Sequence, residues 1–363
     1  MKKKILFVFG TRPEAIKLFP LILKLKKVKK FLVKICVTSQ HKGLLKQVLK
    51  MLKVKPDYDL NLMTFNQKIE NLNFLIIKKL NKVLDKENPK LVIVQGDTVT
   101  AMSSAITAKL KKIKVAHVEA GLRTFDTNSP WPEELNRTII SRVADMSFCP
   151  TKLNVKNLKR EKIKNIYLTG NTIVDALKTI IKKKIKVSNN FKILINNYKK
   201  TKIKLFLTIH RRENFGKPLK DIFTAIKIIA KNKNLKIIYP AHPNPNIKKE
   251  IQALKNIKNI KIIKPLNYYE TLQILKYTDL ILSDSGGLQE EASVLNKKIL
   301  ILREKTERPE ILGKNGKLVG HNINKIISMF NYIMNKKINY SKFSVYGDGN
   351  SSEKIKNIII KKI

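Results

Sequence analysis

The sequence predicts an α/β protein built from two doubly wound domains, each a parallel sheet covered by helices on both faces. Short, continuous apolar runs alternate with longer helical patterns along the whole chain. Such runs are typical of strands that are buried on both faces, and helices between them indicate parallel pairing. The runs also fall into two sets separated by a gap, so one set is expected to form each domain.

The predicted strands follow directly from these apolar runs. The first set comprises residues 5–9, 32–37, 91–95, 114–118 and 165–169. The second set comprises residues 204–208, 236–240, 261–264, 280–283 and 298–302.

The gap between the two sets, residues 171–200, is the predicted hinge. We therefore expect an N-terminal domain over residues 1–172 and a C-terminal domain over residues 173–345. The tail, residues 346–363, holds a loop and a final helix. We expect this helix to pack back on the N-terminal domain.

The charge is extreme, with 75 Lys and Arg against 27 Asp and Glu and a formal net charge of +48. Such a charge can indicate nucleic acid as a partner. The lysines, however, are spread over the whole length, and aromatic residues amount to only 7%. Stacking platforms for bases are therefore not indicated, and we predict no specific nucleic-acid partner.

The remaining composition limits the compartment and the cofactors. Cys36 and Cys149 lie in apolar runs without metal-ligand spacing, which predicts a reduced compartment and no metal site. The apolar run at the start is too short for a secretory signal. No run approaches the length of a membrane span, so we expect a cytoplasmic protein without a transmembrane segment.

The chemistry is expected just after the strands, because open parallel sheets bind ligands beyond the carboxyl ends of their strands. In FVFGTRPEAIK, Gly10 ends a strand and a helix opens near Pro13. Helix N-termini favour anions, and Arg12 and Lys17 could reach one. An ordinary turn with a solvated Arg12 is the alternative. Because the segment lacks GxGxxG, no nicotinamide cofactor is indicated.

The segment DSGGLQEE has a nucleotide-binding character. Ser285, Gly286 and Gly287 follow a strand and open a helix, which suits phosphate oxygens. Glu291 lies six residues beyond Ser285, or about 9 Å along a helix axis. That separation fits a carboxylate on the ribose of the same nucleotide, although the glycines could instead mark tight packing.

Several acid or base candidates also follow strands. Asp97 in QGDT could be catalytic, but by itself it is better explained as a helix N-cap. Glu119 follows a strand where a catalytic carboxylate is expected. Glu133 and Glu134 open a helix, and stabilising its first turn is the expected role of one of them but not of both. His210 adjoins two arginines, which suits protonation chemistry or a leaving phosphate and disfavours a metal.

Eight motifs occur in order along the chain: FGTRPEAIK, GDT, HVEAGLRT, SPWPEELNR, TGNTIVDAL, HRREN, DSGGLQEEA and TERPE. In this order they closely resemble the bacterial non-hydrolysing UDP-N-acetylglucosamine 2-epimerases, from Lys4 to about Gly349. The resemblance implies a fold like that of the B-type glycosyltransferases (GT-B), with an active-site cleft between the domains. It implies reversible conversion of UDP-GlcNAc to UDP-ManNAc for cell-surface polysaccharide synthesis. It further implies a homodimer that needs no cofactor and no metal.

The resemblance also assigns residues. Asp97, Glu119 and Glu133 match the family's acid/base carboxylates, with Glu134 the chief rival of Glu133, and His210 matches its catalytic histidine. The residues that match substrate contacts are Arg12, Lys17, Ser285, Gly286, Gly287, Glu291 and Arg308, with Leu266 and Thr271 near the uracil. Thr271 stands where the family often has Phe, which argues against stacking there. The residues that resemble the site of an activating second UDP-GlcNAc are Gln40, His41, Gln67, Arg211 and His242.

Three other functions remain open from the sequence. A hydrolysing epimerase would release ManNAc and UDP, but its members generally lack the GTRPEAIK motif that is intact here. A glycosyltransferase of the same fold would need an acceptor site, for which no motif is evident. A basic nucleic-acid-binding protein would show steeply salt-dependent binding without turnover of UDP-GlcNAc.

Overall fold

The computed structural model describes residues 2–39, 42–64, 67–183, 185–241, 247–335 and 345–363, apart from the side chains of Lys42, Arg212, Lys248 and Lys249. The chain forms two compact units. The first comprises Met1–Thr179 and Tyr346–Ile363, and the second comprises Ile180–Val345. No helix within the described ranges is both long and apolar enough to cross a membrane.

The first unit is built on a seven-stranded, wholly parallel sheet in the order β3-β2-β1-β4-β5-β6-β7. Its strands are β1 (Lys3–Phe9), β2 (Phe31–Val37), β3 (Tyr58–Asp59), β4 (Leu91–Gln95), β5 (Lys114–Val118), β6 (Met146–Cys149) and β7 (Ile166–Leu168). Its helices are α1 (Arg12–Lys26), α2 (Lys42–Leu52), α3 (Ile69–Glu87), α4 (Val99–Leu110), α5 (Glu133–Val143), α6 (Lys152–Arg160), α7 (Thr172–Ile181, whose last two residues are assigned to the second unit) and the C-terminal α14 (Ser351–Lys362).

The second unit is built on a six-stranded parallel sheet in the order β10-β9-β8-β11-β12-β13. Its strands are β8 (Ile203–Thr208), β9 (Leu235–Pro240), β10 (Ile260–Ile263), β11 (Leu280–Ser283), β12 (Lys298–Ile301) and β13 (Gly316–Leu318). Its helices are α8 (Asn189–Lys199), α9 (Lys217–Ile229), α10 (Lys248–Gln252), α11 (Tyr268–Tyr277), α12 (Gly286–Val294) and α13 (Ile323–Asn335).

Burial explains why the central strands form. Every residue of 5–9 in β1 and of 91–94 in β4 is completely buried, as expected for strands with helices on both faces. The predicted doubly wound architecture is therefore confirmed for each unit. Three strands of two to four residues, β3, β6 and β13, were not predicted from the sequence.

Each sheet has one point where the strand order reverses, between β1 and β4 in the first unit and between β8 and β11 in the second. Crossover helices leave such a point in opposite directions, so the carboxyl ends of these strands border a crevice where ligands commonly bind. The segments that follow them begin at Gly10, Gly96, Ile209 and Asp284.

The tail helix α14 is part of the first unit. The Asp175 carboxylate accepts hydrogen bonds from the backbone N–H groups of Ser351 and Ser352 at 3.2 and 2.9 Å, which places a negative charge at the positive end of the helix. Lys24 of α1 pairs with Glu353 at 2.7 Å. The domain boundary lies at Thr179 and Ile180, inside the expected hinge segment but seven residues beyond the expected end of the N-terminal domain.

Candidate active site

Glu14 fills the turn between β1 and α1. Its carboxyl group is buried and accepts hydrogen bonds from the N–H groups of Gly10 and Thr11 at 3.0 and 2.7 Å and from the Thr98 hydroxyl at 2.7 Å. The N–H groups of Gly10 and Thr11 are therefore satisfied by an internal carboxylate, and the anion contact expected at the N-terminus of α1 stays a prediction. Burial raises the pKa of Glu14 despite these donors. Arg12, the first residue of α1, is partly exposed.

Glu119 and Lys17 form a buried ion pair at the carboxyl end of β5. The Lys17 ammonium donates to Glu119 Oε2, which also accepts from the Gln95 amide at 3.0 Å. Both side chains are almost completely buried. Glu119 has a φ of +67°, in the left-handed region that side chains other than glycine rarely adopt. Backbone strain of this kind is concentrated at functional sites, so it supports a functional role for Glu119.

Asp97 lies two residues beyond the end of the neighbouring strand β4, and it accepts hydrogen bonds through both its side chain and its backbone. Its carboxylate accepts from Arg137 Nη2 at 2.5 Å, and its backbone carbonyl accepts from the Asn136 amide at 2.8 Å. The Asp97 side chain is 26% exposed, whereas that of Arg137 is 3% exposed. The N-cap interpretation of Asp97 is wrong, because Thr98 caps α4 by accepting from Ala101 N at 3.0 Å.

A buried histidine supports the turn that carries Asp97. His117 Nε2 lies 2.8 Å from the carbonyl oxygen of Gly96. Because a carbonyl can only accept, Nε2 carries the proton. Burial lowers the pKa of His117 to about 4, so the ring is neutral near neutral pH.

The adjacent Glu133 and Glu134 differ in their surroundings. Glu134 is 1% exposed, and its carboxylate accepts from the backbone N–H groups of Thr124 and Phe125, each at 3.0 Å, and from Arg137 at 2.9 Å. It therefore ties the loop before α5 to the helix. Glu133, the first residue of α5, is only partly buried. Glu134 is thus engaged by three internal donors, whereas Glu133 is the less buried of the two residues and is the better candidate for contact with a substrate.

Replacing each of these two glutamates by glutamine should separate their roles. We expect Glu134→Gln to lower the free energy of unfolding by about 3 kcal/mol, because it places an amide N–H₂ against a donor and removes the partner of a buried arginine. We expect Glu133→Gln, its matched control, to cost less than about 1 kcal/mol, as for a charge at a helix N-terminus. Urea denaturation monitored by circular dichroism measures both values. Equal losses would contradict the assignment.

His210 of the second unit follows β8 and meets Asp284 at the end of β11. The distance from His210 Nδ1 to Asp284 Oδ1 is 3.2 Å. Burial opposes ionisation of Asp284, but the hydrogen bond and charge of His210 and two backbone N–H groups keep its pKa below the usual value. The pair lies at the reversal of the second sheet, between β8 and β11.

Arg308 lies against the start of α12 within a buried ionic network. It donates to Glu290 and to Glu307, each at 2.6 Å, and Arg303 donates to the other Glu307 oxygen at 2.8 Å. Burial opposes ionisation of Glu307, but Arg308, Arg303 and Arg211 together lower its pKa. A Cβ atom at Gly286 would lie 2.8 Å from Arg308 Nη1, so a larger residue there would have to displace this guanidinium from its ionic network.

The other predicted substrate residues of the second unit lie on α12 and α11. Ser285 is the N-cap residue of α12, Gly287 is partly exposed in its first turn, and Glu291 is buried further along the helix. Leu266 is partly exposed before α11. The Thr271 hydroxyl donates to the Asn267 carbonyl at 3.0 Å within that helix. Their contacts with a nucleotide remain predictions.

The predicted activator residues are only partly described. Gln40, His41 and His242 lie outside the described residues. The Gln67 side chain accepts from Thr64 N at 3.3 Å in the first unit. Arg211 Nη2 of the second unit lies 4.0 Å from Glu307 Oε1.

Sequence reasoning missed the partners that hold these side chains. Gln95, Arg137 and Asp284 were within quoted motifs or next to them but received no role. Arg137 and Arg123 lie in the motifs SPWPEELNR and HVEAGLRT, and Arg123 forms a two-point contact with Glu161 at 2.5 and 2.9 Å. The anions that require these two arginines are therefore internal carboxylates.

Within the described ranges, no three His, Cys, Asp or Glu side chains are grouped in a way that could hold a metal ion.

Comparisons with known proteins identify the family of the chain. The family model described as UDP-N-acetylglucosamine 2-epimerase matches residues 23–360. The UDP-N-acetylglucosamine 2-epimerase of Campylobacter jejuni is 44% identical over 377 residues, which cover 99% of this chain and 98% of that protein.

Solved structures extend the match to the fold. The UDP-GlcNAc 2-epimerase from Neisseria meningitidis bound to UDP-GlcNAc matches with a TM-score of 0.90 and 39% identity, over 99% of this chain and 100% of that chain. The Methanocaldococcus jannaschii UDP-GlcNAc 2-epimerase in complex with UDP-GlcNAc and UDP matches with a TM-score of 0.87 and 38% identity, over 99% of each chain. The predicted GT-B-like fold is confirmed by these matches.

Proposed function

Because the chain belongs to the UDP-N-acetylglucosamine 2-epimerase family, we propose that it interconverts UDP-GlcNAc and UDP-ManNAc without hydrolysis. We propose that the product serves cell-surface polysaccharide synthesis. The active form we propose is a homodimer, and a second UDP-GlcNAc that contacts Gln67 and Arg211 would activate it.

The observation that carries this proposal is the pair of carboxylates at the ends of adjacent strands. Gln95 of β4 is in register with Val118 of β5, so Asp97 and Glu119 follow neighbouring strand ends, which lie about 5 Å apart in a sheet. Each carboxylate is paired with a buried cation. Inverting C2 requires proton transfer on both faces of one carbon, so at least two acid/base groups are needed.

In the proposed reaction, a carboxylate removes the proton from C2 while the bond between C1 and the UDP oxygen breaks. The electrons of the C2–H bond form the C1–C2 double bond of 2-acetamidoglucal, and UDP leaves with the electrons of the C–O bond. A proton is then delivered to the opposite face of C2 as UDP adds back to C1. The reaction is redox-neutral overall and needs no cofactor.

One set of residues is proposed to transfer protons at C2, and another set is proposed to stabilise the departing UDP. Asp97, Glu119 and Glu133 of the first unit are the proposed proton donors and acceptors. His210, Arg308 and the N-terminus of α12 in the second unit are the proposed partners of the departing UDP, because cations and helix N-termini stabilise developing negative charge on phosphate. Glu291 would accept from the ribose hydroxyls.

The test is to incubate the purified protein with UDP-GlcNAc in deuterated water and to follow the sugar protons by NMR. We expect UDP-ManNAc that carries deuterium at C2. Free ManNAc and UDP as the main products would indicate the hydrolysing reaction instead. An unchanged substrate, with folding verified by circular dichroism, would overturn the proposed function.

A further inference from the structure

We propose that Asp284 is a positioning residue that fixes the tautomer and the orientation of His210. The inference rests on the proposed function only for its catalytic consequence, since the tautomer itself is a property of the protein without substrate. Asp284 would act through His210 and would not touch the substrate.

The two oxygens of the Asp284 carboxylate face different donors. Oδ2 accepts from the backbone N–H groups of His210 and Arg211 at 2.9 and 2.8 Å and from the Asn214 amide at 3.0 Å. Oδ1 faces the His210 ring, with Nδ1 at 3.2 Å. The carboxylate therefore holds the backbone of the segment after β8 with one oxygen. The other oxygen, which is buried and makes no hydrogen bond of standard geometry with any described residue, faces the imidazole.

The two side chains of the Asp284–His210 contact differ in their burial. The Asp284 side chain is completely buried, whereas 41% of the His210 side chain is exposed. Strand register pairs Thr208 with Ser283, so His210 and Asp284 follow adjacent strand ends and their backbones are fixed by the sheet. The ring thus has one protected nitrogen, Nδ1, and Nε2 is directed away from Asp284.

The chemistry of Asp284 and His210 determines which ring nitrogen of His210 carries the proton. A carboxylate only accepts hydrogen bonds, so Nδ1 must carry hydrogen in both the neutral and the protonated ring. An imidazolium held in this way presents Nε2–H to a phosphate oxygen of departing UDP.

Replacing Asp284 by asparagine should invert the tautomer while leaving the fold in place. Three N–H donors surround the position of Oδ2, so the amide oxygen of asparagine is expected to stay there. Its N–H₂ group then faces His210 Nδ1, which must become an acceptor. The neutral ring would carry its proton on Nε2 instead.

Nitrogen-15 NMR of histidine-labelled protein, above the pH at which His210 is charged, reports the tautomer directly. The chain has five histidines, so His210→Gln identifies the relevant signals. We expect protonated Nδ1 in the wild-type protein and protonated Nε2 in Asp284→Asn. The same tautomer in both proteins would overturn the proposal, whether or not either protein turns over UDP-GlcNAc.

Kinetics test the catalytic consequence. We expect Asp284→Asn to lower kcat about 100-fold, in the range seen when a group that orients a histidine is removed, and to change KM much less. In the His210→Gln background the same substitution should lower kcat by less than about 3-fold, because coupled residues are not additive. A full 100-fold loss in that background would show a merely structural role and contradict the proposal.

Asp279→Asn is the matched control. Asp279 precedes the same strand β11 and accepts from Lys204 N at 2.8 Å, at the opposite end of the strand. We expect this variant to keep the wild-type tautomer of His210 and a kcat within about 2-fold, since partly exposed ion pairs have small effects. A comparable loss of kcat in this control would show that any Asp→Asn change on β11 impairs the enzyme.

Discussion

Glu119→Gln is expected to lower kcat about 10³-fold and the free energy of unfolding by about 3–5 kcal/mol. The loss of activity follows from removing a proposed proton acceptor or donor. The loss of stability follows because Lys17, whose side chain is 6% exposed, keeps a buried charge when its carboxylate partner is removed.

The double variant Lys17→Met/Glu119→Gln separates the two effects. Without both charges, the desolvation cost of the pair disappears, and we expect stability to return to within about 2 kcal/mol of the wild-type protein. Activity should not recover and should stay at or below the level of the single variant, because Lys17 is itself a predicted substrate contact. Urea denaturation gives the stabilities, and NMR of UDP-ManNAc formation gives the rates.

The pair Lys24 and Glu353 is a suitable control because its side chains are 37% and 38% exposed. Glu353→Gln is expected to cost less than about 1 kcal/mol and to leave kcat unchanged, since exposed ion pairs are screened. If Glu119→Gln were no more destabilising than this control, burial of the Lys17–Glu119 charges could not be their main energetic feature.

The extent to which sequence determined the fold depends on the length of each element. Long apolar runs such as LVIVQ at β4 were predicted with the bounds found in the structure, because complete burial leaves a continuous signal. The two-residue strand β3 has no such signal, since its pairing with β2 is set by tertiary structure. The doubly wound order follows from alternating strands and helices, although the strand order itself was not predicted.

The sequence indicated which segments of the chain form the candidate site, but it did not indicate the hydrogen-bond partners of their side chains. Glu14 received no role from the sequence, and only the fold shows that its carboxylate accepts from two backbone N–H groups in the turn before α1. The choice between Glu133 and Glu134 likewise depends on which carboxylate meets Thr124 and Phe125, residues nine or ten positions away along the chain. Contacts across loops cannot be read from spacing alone.

Arg137→Lys is expected to lower the free energy of unfolding by about 3 kcal/mol and kcat by about 10²-fold. Arg137 joins two carboxylates through separate nitrogens, Nη1 to Glu134 at 2.9 Å and Nη2 to Asp97 at 2.5 Å. A lysine ammonium is a single point charge and cannot reproduce this two-point geometry. The loss of either contact leaves a carboxylate without its guanidinium.

The control for Arg137→Lys is Arg142→Lys on the same helix. Arg142 donates to the Glu161 carbonyl at 3.1 Å in an exposed position, so we expect its replacement to change stability by less than about 0.5 kcal/mol. A similar effect in both variants would indicate a general intolerance of α5 to lysine.

The Asp97→Asn background distinguishes the two contacts of Arg137. If Arg137 supports catalysis by holding Asp97, Arg137→Lys should lower kcat little further once Asp97 is no longer a carboxylate. The stability loss should persist, because Glu134 is still buried beside the altered side chain. In this background, Arg137→Lys should therefore lower the stability measured by urea denaturation and change the rate measured by NMR only slightly. If kcat instead fell by the full 10²-fold in this background, the effect would have to reach the substrate through Glu134 and the loop that it anchors.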